Sequence, residues 1–153
     1  MRGEFSSMIR YIQYEEEYDI QIYDLIKNIM QTELEIDCEK LISIISDLKN
    51  IKYNYLERGG NFWIAIDTKT DKVVGTVGIL KIDTYSAEFK RFYVKENYRG
   101  KHIGSKLYEV AENYAQNNNI LNLYLVSGDK SKRAKDIYYK MVGRLQMKKL
   151  IYL

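Results

Sequence analysis

Apolar positions along this chain switch between a two-residue and a three-to-four-residue period, and each switch marks a new element. At residues 9–14, Ile9, Tyr11 and Gln13 alternate with Arg10, Ile12 and Tyr14, which predicts a short strand. From about 16 to 30, Tyr18, Ile22, Leu25, Ile26 and Ile29 recur at helical spacing. A second helix is expected where Leu34, Cys38, Leu41, Ile42, Ile45 and Leu48 share one stripe. Glu57-Arg58-Gly59-Gly60 breaks that pattern. Strand periodicity follows over 61–66 and 72–82, joined by the polar run Asp67-Thr68-Lys69-Thr70-Asp71. Residues 87–94 read as another strand. Ile103, Leu107, Val110, Ala111 and Tyr114 then stripe a helix that stops near Asn117-Asn118-Asn119. Residues 121–126 form a β-type run, Ser127-Gly128-Asp129 a break, 131–141 a helix and 146–153 a closing strand. The order β-α-α-β-β-β-α-β-α-β implies an α+β fold, a mixed and mostly antiparallel central sheet flanked by helices.

Composition narrows the class. The 153 residues contain no repeat, linker or low-complexity tract, so 1–153 are expected to form a single domain. Hydrophobic residues at 46% and charged residues at 29% are those of a globular chain. The net charge of +3 is spread through mixed signs, which argues against a nucleic-acid partner. The 15 tyrosines read as half-buried residues with one wet end rather than as base-stacking platforms. One cysteine and one histidine give neither an intrachain disulfide nor a zinc site, so no metal is expected. Cys38 lies within a helical pattern and is expected as a small buried hydrophobe. No apolar run approaches the roughly 18 residues of a membrane span. Residues 1–7 lack the apolar core of a signal peptide. The expectation is a cytoplasmic chain with no membrane partner, in which residues 1–7 are an added extension and Met8 the natural start.

The candidate chemistry centres on Arg99-Gly100-Lys101-His102-Ile103-Gly104, between a predicted strand and a predicted helix. A turn opening a helix aims unpaired N–H groups at one point, and the helix dipole adds positive charge there. Gly100 and Gly104 allow close main-chain approach, while Arg99 and Lys101 add full charges. A diphosphate fits such a cradle; an ordinary basic surface turn is the alternative. Neither the P-loop pattern nor G-x-G-x-x-G is present.

The run Ala87-Glu88-Phe89-Lys90-Arg91-Phe92-Tyr93-Val94, the segment Tyr98 to Gly104 and the following helix resemble the acetyl-CoA-binding core of the GNAT superfamily of N-acetyltransferases. Ala134…Ile137-Tyr138-Tyr139-Lys140 is similar to that superfamily's A-x-x-hydrophobic-Y-x-K segment. Gly59-Gly60-Asn61-Phe62-Trp63 with Val74-Gly75-Thr76-Val77-Gly78 resembles its central hairpin. Two departures stand out. The family cradle is usually R/Q-x-x-G-x-G/A, and His102 takes the first glycine's place. Near the end Val142 stands where the family often has glycine, with Gly143 following and a short tail.

The resemblance implies an acetyl-CoA-dependent N-acetyltransferase, with acetyl-CoA as acyl-donor cosubstrate. Pantetheine would pair with main-chain groups of Phe92, Tyr93 and Val94, as an added strand does. The diphosphate would rest on amides of Arg99, Gly100, Lys101, His102, Ile103, Gly104 and Ser105. Ser131 stands near a position where the family often has an asparagine touching the cofactor. Tyr138 matches the family's general acid toward the departing thiolate, or else is a core tyrosine. Glu88 matches the strand glutamate some members use as general base, or else is an exposed carboxylate. Tyr124 is a back-up acid or wall residue.

Acyl transfer to an amine makes these roles necessary. With a pKa near about 10.4, only about one alkylamine in a few thousand is nucleophilic at neutral pH. A proton must leave nitrogen and another must reach sulfur. The acceptor wall includes Glu33, Glu35, Asp37 and Glu39, either a lure for a cationic amine or a solvated face. A small-molecule amine is the expected partner; a peptide amine, or a non-catalytic acyl-CoA-binding module, are the alternatives. The abbreviated end strands allow a homodimer.

Overall fold

The computed structural model describes residues 8–127 and 149–152. The predicted helix over 131–141 lies outside them. One six-stranded sheet, its strands in chain order, organises the rest. Strand β1 (Ile9–Gln13) pairs antiparallel with β2 (Asn61–Asp67), β2 with β3 (Lys72–Lys81), and β3 with β4 (Ser86–Val94). The last two pairings, of β4 with β5 (Asn122–Ser127) and β5 with β6 (Lys149–Tyr152), are parallel. The sheet is therefore mixed and mostly antiparallel, as the element order implied.

Strand β2 is buried on both faces, and its alternation divides the interior in two. Phe62, Ile64 and Ile66 belong to the core beneath α1 (Asp19–Thr32), α2 (Cys38–Ile44) and the irregular segment after it. Trp63 and Ala65 belong to the core beneath α3 (Ile103–Asn117). Helix α1 buries Ile22, Ile26, Ile29 and Met30, close to the predicted stripe. Helix α3 buries Ile103, Leu107, Tyr108, Ala111 and Ala115. Each fully buried Ile or Leu contributes about 1.5–3 kcal/mol of transfer free energy. Gly75 lets α3 lie close on the sheet: a Cβ there would meet Leu107 Cδ1 at 2.8 Å. At the other end Tyr114 donates to the carbonyls of Gly59 and Gly60, at 2.9 and 3.1 Å.

The second predicted helix is only partly formed. Helix α2 stops at Ile44; a 3-10 turn (Ser46–Asn50) and a π turn (Lys52–Leu56) continue the path. Leu41, Ile45 and Leu48 are buried as expected, but Ile42 is exposed. Cys38 is also exposed, against expectation. It opens α2 at the surface, where its sulfur accepts from Gln31 Nε2 at 3.0 Å.

Candidate active site

Strand β4 carries one residue more than its partner. Tyr93 pairs with Thr76 and Lys90 with Gly78, so Arg91 and Phe92 together oppose Val77. Arg91 takes φ +56°, the left-handed region, at a cost of about 1–3 kcal/mol for a non-glycine residue. The bulge turns two successive side chains to one face. Phe89 and Phe92 pack toward α3, with ring centroids 5.3 Å apart, whereas Arg91 reaches the opposite side. Pairing with β5 ends at Phe89–Leu125, just before the bulge. Beyond that point the two parallel strands part, and the β4 main chain from Lys90 to Val94 borders the opening.

The chain leaving β4 enters a 3-10 turn (Glu96–Tyr98) and then the segment that opens α3. His102 is the residue before the helix, at φ +65° and ψ +16°, with no capping hydrogen bond from its side chain. Gly100 is also left-handed, at φ +78°, with nothing within 4 Å of where a Cβ would stand. Among the described residues, the amides of Gly100, Lys101, His102, Ile103, Gly104 and Ser105 meet no hydrogen-bond acceptor. Six consecutive unpaired donors at a helix N-terminus are an arrangement suited to an anion. A Cβ on Gly104 would stand 3.3 Å from Phe92 Cζ and 3.7 Å from Val94 Cγ2, so glycine keeps this wall close to β4.

Two anchors hold the segment. Tyr98 donates to the buried Asp67 carboxylate at 2.6 Å, which also accepts the Lys69 amide at 3.0 Å. That hydrogen bond, and then burial, raise the Tyr98 phenol above its ordinary pKa. Arg99 donates Nε to the Val94 carbonyl at 2.9 Å and grips Glu33 with both terminal nitrogens, at 2.6 and 2.9 Å. Its amide donates to the Glu96 carbonyl. Arg99 thus braces the cradle against the end of α1, and the open donors begin at Gly100. Lys101 lies over the Tyr98 ring, 5.2 Å from its centroid.

On the α1–α2 face of the sheet, Glu88 stands beside Tyr124 in the β4–β5 register, at the last pairs before the strands part. A buried network lies next to them. Arg91 Nε and Nη2 donate to Asp47 Oδ2 and Oδ1 at 3.0 and 2.6 Å, and Nη2 also reaches the Ile44 carbonyl at 2.7 Å. Tyr55, fully buried, donates its hydroxyl to the same carboxylate. Burial opposes ionisation of Asp47, but the Arg91 guanidinium, helped by Tyr55, holds the carboxyl below its ordinary value. Burial, and then Asp47, push the Tyr55 phenol well above its ordinary value.

An orphan-amide cradle beside parted parallel strands narrows the possibilities, and comparison with known proteins decides among them. The model of the Acetyltransferase (GNAT) family matches residues 21–143. The chain belongs to the GNAT acetyltransferase family. A GNAT-family acetyltransferase structure from Staphylococcus aureus Mu50 shares 32% identity and superposes with a TM-score of 0.78, covering 87% of this chain and 81% of that one. An acetyltransferase structure from Streptococcus agalactiae shares 29% identity at a TM-score of 0.78, covering 86% and 80%. N-acetyltransferase 8 of Rattus norvegicus is 29% identical over 102 residues, 63% of this chain. The GNAT chain spans about half of that relative's length, 45%.

The GNAT site predicted from sequence is in part assembled by the structure. Phe92, Tyr93 and Val94 follow the bulge and border the opening; Gly100 to Ser105 form the open donor row. Glu88 lies on the α1–α2 face of the sheet, with Tyr124 next to it. Ser131 and Tyr138 lie outside the described residues. Of the acidic wall, Glu33 is engaged by Arg99 and Asp37 caps α2, accepting the Lys40 amide at 3.0 Å. The Arg91–Asp47–Tyr55 network and the Tyr98–Asp67 anchor were not foreseen. Arg91 falls where the alternation of Ala87 and Phe89 calls for an apolar residue, and that was the available signal for the first.

Proposed function

We propose that this chain transfers an acetyl group from acetyl-CoA to a primary amine of a small molecule, by direct attack with both substrates bound. The observation that carries the reading is the uninterrupted row of unpaired amides from Gly100 to Ser105, beside the parting of β4 and β5. That row suits the diphosphate of coenzyme A, and the β4 edge beyond its last pair with β5 suits an extended amide-bearing arm. When bound, acetyl-CoA supplies an activated thioester. The chain's own contribution is to hold donor and amine together and to move two protons.

Glu88 serves as the base, directly or through water, because it stands on the acceptor-side face at the mouth of the opening. Tyr138 serves as the acid that protonates the departing thiolate, by likeness to the family's C-terminal segment. A positioned acid or base typically contributes about 10²–10⁴ in rate. Holding the two reactants in line contributes the larger share, up to about 7–11 kcal/mol of barrier.

The test is thiol release from acetyl-CoA across polyamines, aminoglycosides, amino acids and lysine-bearing peptides, alongside calorimetry with coenzyme A. Turnover with a small amine is expected. Turnover only with peptides would move the acceptor to a protein. Binding without turnover on any amine would make the chain a non-catalytic acyl-CoA module. No heat from coenzyme A at millimolar concentration would overturn the reading.

A further inference from the structure

Arg91 stands where the donor and acceptor halves of the molecule meet. Its main chain forms the bulge that parts β4 from β5, and its carbonyl is held by the Thr76 hydroxyl at 2.6 Å. Its side chain passes to the other half. There it binds Asp47 through two nitrogens and the Ile44 carbonyl through Nη2. The guanidinium and Asp47 are nearly sealed from solvent, with side-chain exposures of 6% and 14%. Tyr55 completes the group, and it can lie there only because Gly78 is bare: a Cβ on Gly78 would meet Tyr55 Cε1 at 2.7 Å.

A left-handed non-glycine residue within a strand persists only when its surroundings fix it. Here the fork of Arg91 on a carboxylate does so, since two parallel bonds set orientation as well as distance. We propose that Arg91 and Asp47 form a positioning clamp that fixes the β4 bulge relative to the acceptor-side segment 44–55, and thereby aligns the acyl donor with the amine. The proposal rests on the transfer reaction given above. Neither residue touches the reactants; both act through the main chain of residues 92–94 and through the wall that carries Ile44. The cradle amides have their own anchors, Tyr98–Asp67 and Arg99–Glu33, so binding of the diphosphate is independent of the clamp.

Two variants test this. Arg91→Lys keeps the charge and loses the fork. The double variant Arg91→Gly/Asp47→Asn leaves no lone buried charge and puts glycine where φ is positive. Both are compared with wild type for kcat with a saturating amine, for coenzyme A affinity by calorimetry, and for amide hydrogen exchange, all well below the melting temperature. The clamp predicts that kcat falls roughly tenfold to hundredfold, the cost of misaligned reactants. Coenzyme A affinity falls by much less than kcat, because the diphosphate keeps its own anchors, and exchange at 90–94 rises while that of α3 does not. Unchanged kcat and exchange overturn the clamp, as does a parallel loss of affinity, kcat and α3 protection, which marks general destabilisation. If the double variant loses its cooperative melt, Arg91→Lys gives the same comparison. If the wild type shows no turnover, the transfer reading fails and the exchange pattern alone decides on the clamp.

Discussion

His102 holds a left-handed backbone conformation at the entrance to α3, one that glycine adopts freely and an L-residue does not. The expected cost is about 1–2 kcal/mol, toward the lower figure because histidine tolerates this region better than most residues. Its side chain is exposed and makes no capping bond, so His102→Gly removes the strain without losing a contact. Glycine's greater freedom in the unfolded chain offsets part of the gain. The net is about 0.5–1 kcal/mol of stabilisation, or about 1–4 °C in melting temperature for a chain of this size. His102→Ala is the control: it removes the imidazole and keeps at least as much strain, so its melting temperature should be no higher than that of wild type. Calorimetric melting of the three proteins measures the first effect, and titration with coenzyme A should give the same affinity for all. A lower melting temperature for His102→Gly would refute the strain argument, as would an equal rise in both variants. An affinity loss shared by both variants would mean that the imidazole, and not the main chain alone, holds the ligand.

Glu88→Gln and Tyr138→Phe should each lower turnover by about 10²–10⁴ and leave coenzyme A affinity unchanged; a variant as fast as wild type removes that residue from the mechanism. Tyr98→Phe leaves the buried Asp67 short of a donor, and should cost about 1–2 kcal/mol in denaturant unfolding and weaken coenzyme A binding; unaltered binding would show that the cradle does not need this anchor. Asp47 gives a pH dependence of definite sign. Arg91 depresses its carboxyl against the opposing effect of burial, so as pH falls the unfolded chain takes up the proton first. Its stabilisation is complete above about pH 4 and is lost as pH falls through the folded-state value. The difference in unfolding free energy between wild type and Asp47→Asn should therefore narrow below about pH 4, and a constant difference would contradict the ion pair.

Local signals were legible where local physics decides. The Asp67–Asp71 connection, the strands on either side of it and the stripe of α3 follow from turn chemistry and periodicity. The cradle followed from its glycines and its place before a helix. The failures lie where a distant residue overrides the local pattern. The stripe through Leu41, Ile45 and Leu48 is helical in spacing, yet the Ile44 carbonyl accepts from Arg91 and the ladder breaks there, with Leu48 bonding to Ile45 instead. No window around residue 44 contains Arg91. Cys38 was misplaced for a related reason: Asp37 caps α2 and turns the first position of the helix to the surface. Arg99 is basic in the sequence, but only the structure shows that the end of α1 comes within its reach.

The alternation of β2 makes the sheet a partition between two separately packed compartments. Phe62, Ile64 and Ile66 serve one, Trp63 and Ala65 the other. Residues on α2 and its irregular continuation can therefore vary without loosening the layer beneath α3. The exceptions are the few side chains that cross the divide. Arg91 ties the β4 bulge to the segment that carries Asp47, and Arg99 ties the turn before α3 to the end of α1.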